Sequence, residues 1–180
     1  LDLMEGFMLD KYGVPAGEFG YGLEEEAAEA IERARETIAK KINASPGEVI
    51  FTSGGTESNN IAILGAARSS YHRARRLVTS KIEHRSILRI VDKLTTEGFE
   101  KILLDVDREG FVNSANLKAS LADARLVSVQ HANQEIGTLQ GIAAIGEITR
   151  DLSVPFHCDA VQSFAKERID VQAMNVDLLS

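Results

Sequence analysis

Arg125-Leu126-Val127-Ser128-Val129-Gln130, followed at once by His131-Ala132-Asn133-Gln134-Glu135, is the stretch on which the fold turns. Its first part, with Leu126, Val127 and Val129 close together, reads as a strand of the fully buried type, as in a parallel sheet. Its second part is polar. Outward in both directions the chain alternates in the same way. Toward the C-terminus, Ile142 to Asp151 reads as a helix, Val154 to Cys158 as a strand, and Val176 to Ser180 as the start of another. Toward the N-terminus, Ser114 reads as the cap of a short helix through Leu121, after an Asp107-Arg108-Glu109-Gly110 turn. Glu100 to Val106 is predicted as a strand, Arg85 to Thr96 as a helix stopped by Gly98, and Arg76 to Ser80 as a strand. Glu57 to Ser69 is predicted as a helix and Glu48 to Thr52 as a short buried strand. Strands separated by helices imply right-handed crossovers and an α/β fold, a mostly parallel sheet with helices on both faces.

Before this region lies a long amphipathic helix, with Leu23, Ala27, Ala30, Ile31, Ala34, Ile38 and Ile42 on one stripe, ended by Ser45-Pro46-Gly47. A glycine-rich loop, Gly13 to Gly22, and a first helix carrying Leu1, Met4, Phe7 and Met8 precede it. The expected division is 1–22, a helix cut from something longer plus the loop, and 23–180, a ligand-binding domain incomplete at its C-terminus.

The net charge of -7, with no basic block, argues against an electrostatic grip on nucleic acid. No apolar run is long enough to span a bilayer, so no membrane role is expected. The one cysteine, Cys158, has no partner in this sequence for a disulfide, which fits a reducing cytoplasm. No histidine and cysteine spacing suits a structural zinc, so no metal is expected.

In a parallel sheet, ligands sit beyond the carboxyl ends of the strands. Polar clusters follow strand after strand: Thr52 to Ser58, Glu83-His84, His131 to Glu135, and Asp159 to Ser163. Gly54 and Gly55 admit close approach of backbone to a ligand, Thr56 and Ser58 bring hydroxyls, and the following helix directs free N–H groups to the same place, which suits a phosphate. A plain helix cap with a tight turn reads equally well. Asp159 is either the partner of a buried cation, such as a protonated pyridine nitrogen, or a structural cap. His84 is either a ring-stacking, proton-shuttling residue or a surface cap, and Asn133 and Gln162 either bind a ligand or serve their loops. Cys158, in an apolar strand, reads as inert core.

Taken in order, these clusters resemble those of the class V, fold-type I pyridoxal-phosphate enzymes, and among them the cysteine desulfurases of the NifS and IscS kind. Thr52-Ser53-Gly54-Gly55-Thr56-Glu57-Ser58-Asn59-Asn60 is similar to the phosphate motif of that family, and Glu83-His84 to its "E-H" pair. Asn133-Gln134-Glu135-Ile136-Gly137 is similar to "N-N-E-I-G", and Asp159-Ala160-Val161-Gln162-Ser163 to "D-A-x-Q-S". Val176 to Ser180 resembles the strand that leads into the "S-x-H-K" lysine loop. The resemblance implies pyridoxal 5'-phosphate as cofactor, with Gly55 and Thr56 on its phosphate and His84 stacked on its ring as a catalytic residue. It also implies Asn133 facing the ring hydroxyl and substrate, Asp159 on the pyridine nitrogen and Gln162 on the ring hydroxyl. The implied reaction converts L-cysteine to L-alanine and leaves persulfide sulfur on the enzyme, for iron–sulfur cluster or thio-cofactor assembly. A homodimeric parent and a scaffold or sulfur-acceptor protein come with it.

The family's Schiff-base lysine, its persulfide cysteine and its substrate-carboxylate arginine have no counterpart in these 180 residues. Lys166 follows Asp159 too closely to serve as that lysine, and Lys81 lies on another strand. The resemblance therefore implies a piece of a longer enzyme, inactive alone. Gly13 to Phe19 also departs from the family's "G-N-P-S-S-x-H". Alternatives are another class V enzyme (a selenocysteine lyase, an aminotransferase, a tRNA-dependent cysteine synthase), a non-catalytic relative, or an unrelated nucleotide-binding domain, although no G-x-G-x-x-G follows a strand.

Overall fold

A computed structural model describes residues 2–15, 22–69 and 73–180. The chain divides into two compact units, Leu1–Ile50 and Phe51–Ser180. Leu1, residues 16–21 of the glycine-rich loop and residues 70–72, including His72, lie outside the described part.

The first unit holds helices α1 (Asp2–Leu9) and α2 (Gly22–Ile42). In α2, Glu24 and Glu25 lie in the first turn and Lys40 and Lys41 in the last, each sign matched to the helix dipole. Asn43, in the left-handed region at φ 59°, ends the helix. Of the predicted apolar stripe only Ala27 is buried, together with Ala39 one position off it, and Leu23 is 45% exposed. Pro46–Glu48 form a 3-10 turn, and the Ser45 N–H donates to Glu48 Oε2 at 2.7 Å.

The predicted strand at Glu48 to Thr52 does not form: Glu48 belongs to the turn, residues 49–52 lie in no strand, and Ile50 is 71% exposed. A strand exists only as part of a ladder, and this segment has no ladder partner among the described residues.

The second unit is built on a parallel sheet of five strands in the order β2-β1-β3-β4-β5. These are β1 (Arg76–Ser80), β2 (Glu100–Leu104), β3 (Ala124–Gln130), β4 (Phe156–Asp159) and β5 (Leu178–Leu179). The intervening helices are α3 (Gly55–Arg68), α4 (Arg85–Thr95), α5 (Ser114–Ser120) and α6 (Ile142–Asp151). α3 packs with α4 and α5 with α6, which covers the sheet on both faces. The predicted strand through Val106 stops at Leu104, and Val106 makes only an isolated antiparallel bridge to Val112. The cap of α5 is Asn113, whose Oδ1 accepts from the N–H groups of Ala115 and Asn116, and Ser114 is the first helical residue.

α4 shows why the helices dock. Ile87, Ile90, Val91 and Leu94 recur at i, i+3, i+4 and i+7, and all are buried with Ile63, Ala67, Leu77 and Leu126. Each such side chain contributes about 1.5–3 kcal/mol on burial. This core holds α3 and α4 against the sheet and so fixes where their first turns begin. The chain runs from β1 outward to β2, then returns across β1 to β3. That reversal leaves a crevice at the carboxyl ends of β1 and β3.

Candidate functional site

A cleft of about 160 Å3 opens at that crevice, and Gly55, Thr56, His84, Asp159 and Gln162 all line it. Five of the six predicted site residues therefore meet, brought together from the start of α3 and the ends of β1 and β4. The sixth, Asn133, lies beside the cleft with its side chain committed to its own loop. Its Nδ2 donates to the Ile82 carbonyl at 3.0 Å, and its Oδ1 accepts from the N–H groups of Glu135 (2.8 Å) and Ile136 (3.0 Å).

The phosphate-like cradle is a backbone feature. Gly54 precedes α3 at φ 153°, ψ 177°, a conformation essentially reserved for glycine. Ser53 N–H and Oγ both donate to Glu57 Oε2, at 2.6 and 2.8 Å, and the first of these bonds chiefly lowers the Glu57 pKa. Glu57 thereby braces the loop as α3 starts. The first-turn N–H groups of a helix have no intrahelical acceptor and collect the positive end of its dipole. At Gly55 a Cβ would meet Val161 Cγ2 at 2.5 Å, so the backbone there runs flush against the opposite wall.

That wall ends β4. Asp159 is buried at the sheet edge; its Oδ2 accepts from Asn59 Nδ2 at 2.8 Å and its Oδ1 from the Val161 N–H at 3.1 Å. A carboxylate offers about four acceptor positions, so capacity remains for a further donor from the cleft. His84 caps α4 and is exposed to the cleft; its Nδ1 lies 2.7 Å from Ser86 Oγ and accepts the Ser86 N–H at 3.2 Å.

Sequence reasoning missed three contributors. Asn59 and Gln130 line the cleft, and both are buried polar residues. Asn59 reads in the sequence as ordinary helix polarity, and its contact with Asp159 spans 100 positions. Glu83, singled out only as the neighbour of His84, is buried, with Oε1 accepting from Ser80 Oγ at 2.5 Å and Oε2 unpartnered. Burial first, and the nearby Asp159 charge to a smaller degree, push its pKa up to about 8. Glu83 is therefore the neutral acid at neutral pH.

Cys158 is buried, and burial raises its thiol pKa, which leaves it inert core as expected. His157, fully buried, bridges Ser128 Oγ (2.9 Å) and Ser180 Oγ (3.0 Å), and burial lowers its pKa to about 4. Ser180 Oγ in turn accepts from Ser58 Oγ at 2.8 Å, which ties the end of β5 to the first turn of α3. His131 is also buried, and desolvation lowers its pKa against a partial opposing pull from Glu167. Lys166 is exposed, and Lys81 pairs with Asp105. No cluster of three metal-ligating side chains occurs among the described residues, and no helix there is long and apolar enough to cross a membrane.

A glycine turn at a helix start, a histidine and a buried acid thus share one cleft at the carboxyl ends of the strands of a parallel α/β sheet. The family model for aminotransferase class V matches residues 1–180, and the chain belongs to that family, whose members use pyridoxal 5'-phosphate. It is 46% identical over 184 residues to a cysteine desulfurase IscS of Anaeromyxobacter sp. (strain K), covering 100% of this chain and 45% of the relative. It is 49% identical over 156 residues to a cysteine desulfurase IscS of Vibrio cholerae serotype O1, covering 86% of this chain and 39% of the relative. Among solved structures, SspA in complex with cysteine superposes with a TM-score of 0.94 at 36% identity, covering 99% of this chain and 51% of that one. The chain thus spans about half the length of the relatives it matches.

Proposed function

We propose that this chain supplies the cofactor-holding part of a pyridoxal-phosphate-dependent cysteine desulfurase, which forms L-alanine from L-cysteine and retains the sulfur as an enzyme persulfide. The observation that carries this reading is the convergence of the α3 cradle, His84 and Asp159 on one cleft. The cofactor-binding domain, taken from the resemblance as residues 23–180, has that cleft wholly within 51–180.

The residues present suit the cofactor. Gly55 and Thr56, at the start of α3, would hold its phosphate through backbone N–H groups and the Thr56 hydroxyl. Asp159, with two donors already fixing its carboxylate, would accept a hydrogen bond from the protonated ring nitrogen and so keep that nitrogen charged. His84 would cover the ring and hold or pass a proton at Nε2, the nitrogen left over when Nδ1 accepts from Ser86. Gln162 would donate to the ring hydroxyl, and Asn133 would shape the loop beside it. When bound, the cofactor supplies an electron sink for the substrate carbon. The lysine, the thiol and the substrate-binding arginine are not among these 180 residues.

The names of the relatives support cysteine as substrate; iron–sulfur cluster assembly as the destination of the sulfur comes with the same reading. The same reading carries a homodimer, a protein acceptor for the sulfur and a cytoplasmic setting. The test is cysteine-dependent alanine and persulfide formation by the full-length protein loaded with pyridoxal phosphate. Persulfide with equimolar alanine is expected. Pyridoxal phosphate bound without any reaction of cysteine would sink the desulfurase reading.

A further inference from the structure

We propose that Asn59 and Ser86 are positioning residues that tie His84 to Asp159 and fix which ring nitrogen His84 presents to the cleft. The inference rests on the reading above for the roles of those two residues. Asn59 Nδ2 donates both its hydrogens, one to Asp159 Oδ2 at 2.8 Å and one to Ser86 Oγ at 2.9 Å. The amide orientation is settled by charge, because the reversed amide would set Oδ1 against the Asp159 carboxylate. That orientation leaves Asn59 Oδ1 buried and unpartnered in a residue only 1% exposed. A residue serving its helix alone would not keep such an arrangement, since buried polar atoms are ordinarily paired.

The direction of the chain of bonds follows. Ser86 Oγ accepts from Asn59, so its own hydrogen turns to His84 Nδ1, 2.7 Å away. The Ser86 backbone N–H, which can only donate, reaches the same nitrogen at 3.2 Å. Nδ1 is therefore an acceptor, and a neutral His84 carries its hydrogen on Nε2. One amide thus orients the buried acid and, through one hydroxyl that joins the Ser86 N–H at Nδ1, reinforces the tautomer of His84.

The test uses the full-length protein in two arms. In the cofactor-free protein, nitrogen NMR with labelled histidine should show His84 as the Nε2–H tautomer. Because the Ser86 backbone N–H still donates to Nδ1 in both variants, Asn59→Ala and Ser86→Ala should each raise the Nδ1–H fraction without making it dominant, and Ser86→Thr, which keeps the hydroxyl, should restore the native pattern. In the second arm, pyridoxal phosphate affinity is measured across the Asn59→Ala and Ser86→Ala cycle. Each single variant should weaken it about tenfold, the scale of a lost hydrogen bond to a charged group. The double variant should be within about twofold of Asn59→Ala alone. An Nδ1–H tautomer in the unaltered protein, unchanged tautomers in both variants, or losses that multiply to about a hundredfold would overturn the relay. If Asn59→Ala fails to fold, Ser86→Ala against Ser86→Thr decides by itself. Failure of the unaltered protein to bind pyridoxal phosphate would refute the cofactor reading while leaving the tautomer arm to judge the relay.

Discussion

The ends of β1 and β4 each carry a buried carboxyl group at the same edge of the sheet, and the two are treated oppositely. Asp159, closing β4, receives one side-chain and one backbone N–H, the satisfaction a buried charge needs. Glu83, beyond β1, receives the Ser80 hydroxyl on one oxygen, its other oxygen has no well-formed hydrogen bond, and the backbone of Gln130 and Ser80 offsets its burial only in part. Its pKa of about 8 is the outcome: burial without enough donors turns a carboxylate into a carboxylic acid. Donor supply differs between these two neighbouring acids, and the better supplied one, Asp159, is the one that lines the cleft.

The largest effect expected from breaking this contrast comes at Asp159. Asp159→Asn keeps the shape and removes the charge. Desulfurase turnover of the full-length protein should fall by about a hundredfold or more, the scale on which a single charge-stabilising group acts in an active site. Steady-state assays at saturating cofactor check it, and turnover within threefold of the unaltered protein would remove Asp159 from the mechanism.

At Glu83 the contrast is read through pH. Its folded pKa of about 8 lies above the ordinary 4.5, so its stabilising contribution is complete below pH 4.5 and is lost as pH rises through 8. The loss is on the order of a few kcal/mol. Glu83→Gln, a neutral mimic of the acid, should match the unaltered protein near pH 5 and exceed it at pH 8.5 in urea midpoint. Parallel pH profiles would show that Glu83 is ionised after all. His157 provides the opposite slope. Its folded pKa of about 4 lies below 6.5, so its contribution is present above pH 6.5 and is lost as pH falls through 4. His157→Gln should flatten the acid limb of the same urea series.

The smallest effect belongs to a third acid at the same edge, Asp105, 73% exposed and paired with Lys81 after β2. Water satisfies it, so Lys81→Ala should shift stability by less than about 1 kcal/mol in the same denaturation series.

Much of this arrangement was legible in the residues. β3 announces itself through Leu126, Val127 and Val129, apolar side chains that fall on both faces of the strand, and Gly54-Gly55 before α3 announces a close backbone approach. Asp159 could be placed at a strand end because it is the first charged residue after the run Val154 to Cys158. What stayed hidden depends on partners distant in sequence. Ile50 and Phe51 have the composition of a strand, yet pairing decides a strand and composition does not record it. A glutamate in sequence reads as exposed, and nothing local to Glu83 says that Ser80 and Asp159 will be its company. Asn59 and Asn113 are the same residue type, but one serves a site a hundred positions away and the other caps its own helix.

The close approach of Gly55 to Val161, with 2.5 Å left for a Cβ, also constrains how this sequence can drift. Position 55 can gain a methyl only if position 161 gives up bulk or turns its side chain outward, and Val, branched at Cβ, turns poorly. The two positions should therefore change together among descendants of this chain. Alanine at 55 should be found with a smaller or differently shaped residue at 161, and the pair forms a lineage marker written across the mouth of the cleft.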